Sequence, residues 1–288
     1  MALVSGIRIA ALASGAAALT WVFAQTPSPL KPLEVVRVAE SLHVLIDPED
    51  NGNVAVYETS EGVVLVDAKF ERHVPQMLEA VAKITDKPVR YLLSTHHHDD
   101  HTGGNAALLA KTGARGMGHE EAARLMRDRK MPGAPEVTFA TRAAIHLGGK
   151  TIEAFYFGRG HTSGDAVYVF SAENAAHVGD LMELVGPYID HGAGGSGREF
   201  PTTVERVLTL GVTTWIPGHG KPMTTETARL YQTDLSTALA RAREMYAKGV
   251  QKDDAMKEWN GEGLRYCCRT NTWKRSLPGL WDEMARGQ

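Results

Sequence analysis

The sequence predicts an α/β (α+β) fold in which two β-sheets are covered by helices. Three observations lead to this prediction. Short runs rich in β-branched residues come first, helical patterns alternate with later strands, and the C-terminal part carries only helical spacing. Such a mixed order of strands and helices is typical of a layered domain. A chain of 288 residues is long enough to bury one large core of this kind.

The first half of the chain alternates β-branched runs with turn signals such as Glu49-Asp50-Asn51-Gly52. Helices are expected where apolar residues recur every three or four positions. We predict strands at Val35–Val38, His43–Ile46, Asn53–Glu58, Gly62–Asp67 and Val89–Leu93. We predict helices at His73–Thr85, Asn105–Lys111 and Glu120–Lys130.

The second half continues the alternation and then becomes helical. We predict strands at Thr151–Phe157, Ala166–Phe170, Ala175–Val178 and Thr213–Ile216, and helices at Pro201–Leu210 and from Thr224 to about Lys248. These elements divide the mature chain into a catalytic domain, residues 35–224, and a C-terminal helical extension, residues 225–288. We expect the extension to pack on the same domain as a cap.

The N-terminus has the layout of a secretory signal peptide. Arg8 is the only charged residue among the first thirty, and an apolar run from Ile9 to Ala24 follows it. The run is shorter than the ~20 residues that span a bilayer, so cleavage is favoured over an uncleaved anchor. The sequence therefore predicts a signal peptide at 1–24, a polar linker at 25–34, export to the periplasm or beyond, and no stable membrane association after cleavage.

Composition limits the classes of function and the means of stabilisation. A net charge of −3 gives no electrostatic reason to expect nucleic acid binding. The two cysteines, Cys267 and Cys268, are neighbours, and a disulfide between adjacent residues is strained. We therefore expect two small buried hydrophobic side chains and no disulfide.

The run Ser94–Gly104 is the most informative stretch of the chain. Its pattern is H-x-H-x-D-H, formed by His96, His98, Asp100 and His101. Histidine and aspartate are common zinc ligands. The two alternating histidines can share one metal, and the adjacent Asp and His are better placed for a second. His97 and Asp99 alternate away from these ligands. A histidine tract can also bind metal adventitiously, so other residues of the chain must show whether this run belongs to a catalytic site.

Four more residues each follow a predicted strand or lie in a turn flanked by glycine: Asp67, His161, Asp180 and His219. Glycine beside a ligand lets the backbone pass close to a metal. Each position also has a plainer reading. Asp67 can be a turn residue or a helix cap, and Asp180 can cap the turn that follows it.

Together these motifs resemble the metallo-β-lactamase superfamily over Val35 to Pro222. The order is a strand ending in Asp, then T-H-H-H-D-D-H, G-H-T, G-D and P-G-H-G. The resemblance implies an αββα sandwich of two mixed β-sheets with metals in a cleft at one edge of the sheets. It places this chain near the glyoxalase-II-like and lactonase-like branches.

The resemblance also implies residue roles. The first zinc would be bound by His96, His98 and His161, the second by Asp100, His101 and His219. Asp180 would bridge the two ions, and Asp67 would orient the histidine loop. Asp100 would hold the nucleophile and pass a proton to the leaving group. Tyr188 and His191 are candidates for the substrate pocket, with plain loop residues as the alternative reading.

These roles imply a hydrolase with two Zn²⁺ ions, although the same donors suit iron or manganese. A hydroxide held between two metals would attack the carbonyl of a small ester, thioester, lactone or β-lactam. No serine or cysteine nucleophile motif is present. The oligomeric state is left open.

Other readings of the family compete with this one. A β-lactamase proper is disfavoured because Asp180 stands where one branch has cysteine, and because Leu181–Pro187 contains no lysine, with Arg198 the next basic residue. Glyoxalase II is disfavoured because no clear basic cluster follows, although Arg265, Lys274 and Arg275 remain candidates. A mononuclear iron redox enzyme acting on sulfur substrates and a non-catalytic zinc protein are further alternatives.

Overall fold

The computed structural model describes residues 29–184 and 186–287. The predicted signal peptide, residues 1–24, and the first four residues of the predicted linker, 25–28, lie outside the described residues. From Lys31 onward the described chain forms one compact unit. Among the described helices, none is both long enough and apolar enough to cross a membrane.

The first sheet has seven strands in sequence order within the described residues. Strands β1 to β4 are antiparallel neighbours, whereas β4 to β7 run parallel, so the sheet is mixed. The strands are β1 (Glu34–Ala39), β2 (Leu42–Ile46), β3 (Val54–Glu58), β4 (Val63–Val66), β5 (Val89–Ser94), β6 (Arg115–His119) and β7 (Val137–Phe139).

The second sheet has six strands in the order β13-β12-β11-β10-β9-β8, again within the described residues. Only β11 and β12 are parallel neighbours, and the other pairs are antiparallel. The strands are β8 (Arg142–Leu147), β9 (Lys150–Tyr156), β10 (Ala166–Phe170), β11 (Ala175–Glu183), β12 (Thr214–His219) and β13 (Met223–Thr224).

Helices cover the outer faces of both sheets. They are α1 (Val74–Ile84), α2 (Asp99–Thr102), α3 (Asn105–Thr112), α4 (Glu120–Asp128), α5 (Phe200–Leu208), α6 (Thr225–Ala247), α7 (Lys252–Glu258), α8 (Asn271–Lys274) and α9 (Leu277–Ala285). The long helix α6 begins at a capped end, because the Thr224 side chain accepts a hydrogen bond from Thr227 N.

Three apolar clusters show that the layers are α/β/β/α. The inner cluster joins the two sheets, with residues such as Tyr57 and Phe170 whose rings lie 4.8 Å apart. A second cluster packs α1 and α3 on the first sheet. A third packs α5, α6 and the C-terminal helices on the second sheet, around Trp215. The predicted αββα sandwich with two mixed sheets is confirmed.

Strand β11 is five residues longer than its predicted end at Val178. The sequence Gly179-Asp180 looks like a turn, yet the strand passes through it with a shift of register between His177 and Gly179. Gly179 has a φ of 52°, a left-handed conformation that glycine adopts at little cost. Asp180 lies in the irregular stretch between Gly179, which pairs with Pro217, and Glu183, which pairs with His219.

The prediction of two unpaired cysteines is wrong, because the structure joins Cys267 and Cys268 in a disulfide. Both residues are buried, as expected. Successive side chains diverge in an extended chain, but Cys268 has a φ of 67°, so the chain turns there and the two sulfur atoms meet.

Candidate metal centre

The ends of four strands bring the candidate ligands to one edge of the sandwich. Strands β4 and β5 are parallel neighbours, so Asp67 and the histidine run that follow them lie side by side. Strands β11 and β12 are also parallel and carry Asp180 and His219. His161 lies in the loop between β9 and β10. Residues far apart in sequence thus converge because parallel strands end at the same edge.

A first group of side chains, His96, His98 and His161, presents three ring nitrogens to one point. His96 Nε2 lies 3.2 Å from His98 Nδ1, which lies 2.9 Å from His161 Nε2. The carboxylate of Asp180 closes the group, with Oδ2 at 3.7 Å from His96 Nε2 and 3.5 Å from His161 Nε2. The arrangement fits one metal ion.

A second group, Asp100, His101 and His219, lies on the other side of Asp180. The two ring Nε2 atoms are 3.3 Å apart, and Asp100 Oδ2 lies 3.1 Å from His219 Nε2. Asp180 Oδ1 lies 3.3 Å from His101 Nε2. A Cβ at Gly218 would lie 1.8 Å from Asp180 Oδ1, so only glycine leaves room for this carboxylate. Asp180 therefore reaches both groups.

Each histidine of the two groups turns one nitrogen inward and has its other nitrogen held from outside. An outer hydrogen bond of this kind fixes the tautomer and the orientation of a metal-binding imidazole. The outer partners are Thr95 Oγ1 for His96 (3.1 Å), Asp190 Oδ2 for His98 (3.0 Å), Asp67 Oδ2 for His101 (2.8 Å), Tyr188 O for His161 (2.6 Å) and Asp50 O for His219 (2.8 Å).

These donors fit two metal ions. In a tetrahedral site with bonds near 2.0–2.1 Å, neighbouring ligand atoms lie about 3.3 Å apart, close to the spacings of both groups. Within the described residues, the buried Asp180 Oδ1 has no partner in hydrogen-bond geometry. A buried carboxylate oxygen without such a partner is costly, and a metal ion would satisfy it.

The electrostatics of the two groups differ. Burial alone would lower the pKa of His101, but the carboxylates of Asp180, Asp100 and Asp67 raise it to about 10. In the first group, burial lowers the pKa of His161 to about 4 and holds that of His96 well below its usual range. The second group therefore attracts positive charge, whereas these two rings of the first group are neutral at pH 7.

Asp67 fixes the histidine run from beneath. Its side chain is fully buried and accepts hydrogen bonds from Thr95 N, Thr95 Oγ1 and His101 Nδ1 at 2.7, 2.7 and 2.8 Å. Its φ of 68° is left-handed, which aspartate tolerates better than most residues. The structure thus places Asp67 where the sequence predicted an orienting carboxylate.

The two pocket candidates lie in different surroundings. The Tyr188 ring lies 6.2 Å from the His161 ring and carries the Arg275 guanidinium at 4.9 Å. His191 instead faces the C-terminal helix, with Nε2 at 3.3 Å from Glu283 Oε2. The Tyr188 ring is therefore next to the first group. The His191 ring instead contacts Glu283 in helix α9.

The two residues predicted to be spacers lie outside both groups. Asp99 is exposed at the start of α2. His97 is fully buried, and neither of its ring nitrogens has a hydrogen-bond partner in the described chain. It forms a third cluster with His98 and Asp190, but the His98 nitrogen on that side already bonds to Asp190.

Sequence reasoning missed three charged residues beside the groups. Asp190 orients His98 and follows only two residues after the chosen Tyr188. Burial raises the pKa of Glu183, the strand partner of His219, to about 8. Lys69 is buried and donates hydrogen bonds to Asn51 O and Gly52 O, which hold the loop that contacts His219. Asp190 could have been found from the sequence, because it is an acidic residue next to His191, which was predicted to line the pocket.

Comparison with known proteins identifies the family. A family model described as the metallo-beta-lactamase superfamily matches residues 47–219, which contain every residue of both groups. The chain belongs to the metallo-β-lactamase superfamily. The match ends before helix α6, so the C-terminal helical extension lies beyond it.

Curated relatives carry two different names. A metallo-beta-lactamase type 2 from Bacillus sp. is 29% identical over 175 residues, covering 59% of this chain and 66% of the relative. A hydroxyacylglutathione hydrolase from Mesorhizobium japonicum is 31% identical over 138 residues, covering 48% of this chain and 50% of the relative. The chain thus spans about two thirds of the first relative's length and half of the second's.

Solved structures agree with the fold. A metallo-beta-lactamase from Pontibacter korlensis superposes with a TM-score of 0.62 at 24% identity, covering 72% of this chain and 97% of the other. The DIM-1 metallo-beta-lactamase superposes with a TM-score of 0.63 at 20% identity, covering 73% and 100%. At these identities the likeness concerns the fold alone.

Proposed function

We propose that this protein is a dinuclear zinc hydrolase that cleaves a carbonyl bond of a small ester, thioester, lactone or β-lactam. One observation carries the proposal. Five histidines turn their inward nitrogens to two neighbouring points, and the Asp180 carboxylate reaches both. Membership in the superfamily and relatives named as hydrolases support the same conclusion.

The candidate ligands divide between the two proposed ions. His96, His98 and His161 would hold the first zinc, Asp100, His101 and His219 the second, and Asp180 would contact both. When bound, the two ions would lower the pKa of a water molecule so that it is hydroxide at neutral pH, and would polarise the scissile carbonyl. Oxygen and nitrogen donors also accept iron or manganese, so metal analysis must identify the ion.

Asp100 is the proposed proton-transfer residue. Burial would raise the pKa of its carboxyl, but His101 and a hydrogen bond from His219 hold that pKa well below its usual range. The side chain is 26% exposed, so part of it reaches solvent while Oδ2 contacts His219. An ionised carboxylate here can accept a proton from the attacking water and return it to the leaving group.

The test combines metal analysis with a panel of substrates. Purified protein is expected to contain about two zinc ions per chain and to hydrolyse at least one of nitrocefin, a homoserine lactone, a thioester and an aryl ester. A phosphodiester serves as the negative control. Full zinc occupancy without turnover of any carbonyl substrate would contradict the hydrolase, and a single iron ion would favour the redox alternative.

Zinc binding is expected to depend on pH differently in the two groups. Because the pKa of His101 is about 10 without metal, zinc must displace its proton at any pH below that value. Despite burial, Asp180 and a hydrogen bond to Asp100 also hold the pKa of His219, the other ring of this group, well above its usual value. The affinity of the second group should therefore rise at least about tenfold per pH unit between pH 6 and 8, while that of the first group changes less. Competition with a chromophoric chelator measures both affinities. Equal slopes would contradict the prediction.

A β-lactamase proper remains the second candidate, because two Bacillus relatives carry that name. Against it, the described residues of the segment 181–187 include no lysine that could receive a β-lactam carboxylate. Turnover of nitrocefin far above turnover of the lactone and thioester would favour this candidate.

We also propose that the protein is exported. The support is the sequence of the first 24 residues, with one charge at Arg8 and an apolar run that ends at Ala24. A disulfide between Cys267 and Cys268 is compatible with an oxidising compartment. N-terminal sequencing of the mature protein from a periplasmic fraction tests the proposal. An intact Met1 in a cytosolic fraction would contradict it.

A further inference from the structure

The loop from Gly186 to Arg198, here called the ligand loop, holds two histidines of the first group. Tyr188 O accepts the hydrogen bond of His161 Nδ1 at 2.6 Å. Asp190 N donates to His161 O at 2.9 Å, and Asp190 Oδ2 accepts the hydrogen bond of His98 Nε2 at 3.0 Å. The position of this loop therefore decides how His98 and His161 are aimed.

The C-terminal helices contact the ligand loop along its length. Ser276 Oγ accepts a hydrogen bond from Ile189 N at 2.9 Å. The Arg275 guanidinium covers the Tyr188 ring. At Gly279, in α9, an added Cβ would lie 2.2 Å from His191 Nδ1, so only glycine lets the helix approach this closely. These contacts come from a segment beyond the residues that match the family.

Glu283 in α9 makes the densest of these contacts. Its side chain is 8% exposed, and its carboxylate meets four polar groups of the ligand loop. They are Ser196 Oγ (2.6 Å), Gly197 N (2.9 Å), Arg198 N (3.3 Å) and His191 Nε2 (3.3 Å). Burial alone would raise the pKa of Glu283, but these bonds lower it to about 2, so the group is ionised at neutral pH.

Removing this carboxylate would leave several donors of the ligand loop unpaired. They include the hydroxyl of the buried Ser196 and the N–H of the buried Gly197, so the loop must rearrange for these groups to reach water. Rearrangement moves Asp190 and the Tyr188 carbonyl, which hold the outer nitrogens of His98 and His161. Loss of such outer partners typically weakens metal binding 10- to 100-fold.

We propose that Glu283 is a positioning residue for the first group, and that the C-terminal helices are a working part of the metal centre. The proposal rests on the proposed metal-binding role of His98 and His161. Glu283 has no contact with a proposed ligand. It acts through the ligand loop, and in particular through Asp190.

The test uses the full chain with Glu283→Gln, which keeps the size of the side chain and removes its charge. Competition with a chromophoric chelator is expected to show zinc affinity at least about tenfold lower in the first group and unchanged in the second. The matched control is Asp282→Asn in the same helix. The side chain of Asp282 is 48% exposed and pairs with Lys252 of α7, so both affinities should stay at wild-type values.

A double-mutant cycle with Asp190→Asn separates positioning from general destabilisation. If Glu283 acts through Asp190, the two losses of zinc affinity are not additive. Additive losses, or a folded Glu283→Gln protein with wild-type affinity in both groups, would overturn the proposal. Should Glu283→Gln fail to fold, Ser276→Ala decides: a smaller loss confined to the first group supports the proposal, and no loss overturns it.

Failure of this proposal is distinct from failure of the proposed function. The cycle measures zinc affinity and needs no substrate, so it gives an answer even if no hydrolytic activity is found. Wild-type protein that binds two zinc ions without turnover counts against the hydrolase alone. Wild-type protein that binds two zinc ions, with variants that bind them equally well, counts against the role of Glu283 alone.

Discussion

Replacing Asp180 with alanine is expected to remove most of the zinc from the second group and to lower kcat/KM by roughly three orders of magnitude. The carboxylate is 6% exposed, and it lies 3.3 Å from His101 Nε2 and 3.5 Å from His161 Nε2. Among residues 29–184 and 186–287, it is the one carboxylate that contacts histidines of both groups, and the substitution removes it. Transition-state stabilisation by a metal is worth several kcal/mol, which corresponds to this factor in rate.

The second group should lose more metal than the first after this change. The first group keeps three histidines, whereas the second keeps two histidines and the partly exposed Asp100. Inductively coupled plasma analysis after dialysis gives the zinc content, and steady-state kinetics on the best panel substrate give the rate. The control is Asp99→Ala, which removes an exposed carboxylate next to Asp100. Two retained zinc ions with full activity would exclude Asp180 as the shared ligand.

Replacing Asp67 with asparagine is expected to lower both stability and zinc affinity. Asparagine also tolerates the left-handed backbone at this position, where φ is 68°, so the backbone can keep its path. An amide can still accept from Thr95 N, but its NH₂ group then faces the N–H of His101. Two donors facing each other in a buried site cost about 1–3 kcal/mol.

The effect on metal binding should be larger in the second group, because His101 bonds Asp67 directly, whereas the first group is reached only through Thr95 Oγ1, the outer partner of His96. Zinc affinity in the second group should fall 10- to 100-fold, as for other losses of an outer carboxylate partner. Thermal unfolding with and without zinc measures the stability, and chelator competition measures the affinity. Asp67→Ala should be worse on both counts, since it leaves all three donors unpaired. Unchanged second-group affinity in Asp67→Asn would contradict the orienting role.

Much of the fold follows from local patterns. Strong alternation and β-branched runs locate β2 to β5, and apolar spacing locates α1 and α6, within a few residues of their observed ends. Strands β6 to β8 were missed because they are short or partly exposed and carry glycine, charge or alanine. The extension of β11 through Gly179 was missed because a glycine next to an aspartate also signals a turn.

The sequence predicted the metal-donor residues of the candidate site, but it did not predict the residues that surround and orient them. His96, His98, Asp100 and His101 lie within six positions, so spacing alone groups them. Asp190 and Glu283 carry no such spacing. Each meets its partner across a long stretch of chain, 92 residues for the bond between His98 and Asp190 and 87 for that between Ser196 and Glu283.

The sequence by itself determined the layered fold, the identity of the donors and the order in which they occur. Periodicity and composition report which faces of a helix or strand are apolar, and these faces set the layers. Only the tertiary structure decided how each imidazole is held and which segment holds it. The outer partners of the histidines are mostly backbone carbonyls and loop side chains, and their positions depend on how distant strands and helices pack. For the same reason, the C-terminal helices emerge as neighbours of the ligand loop only when the chain is folded.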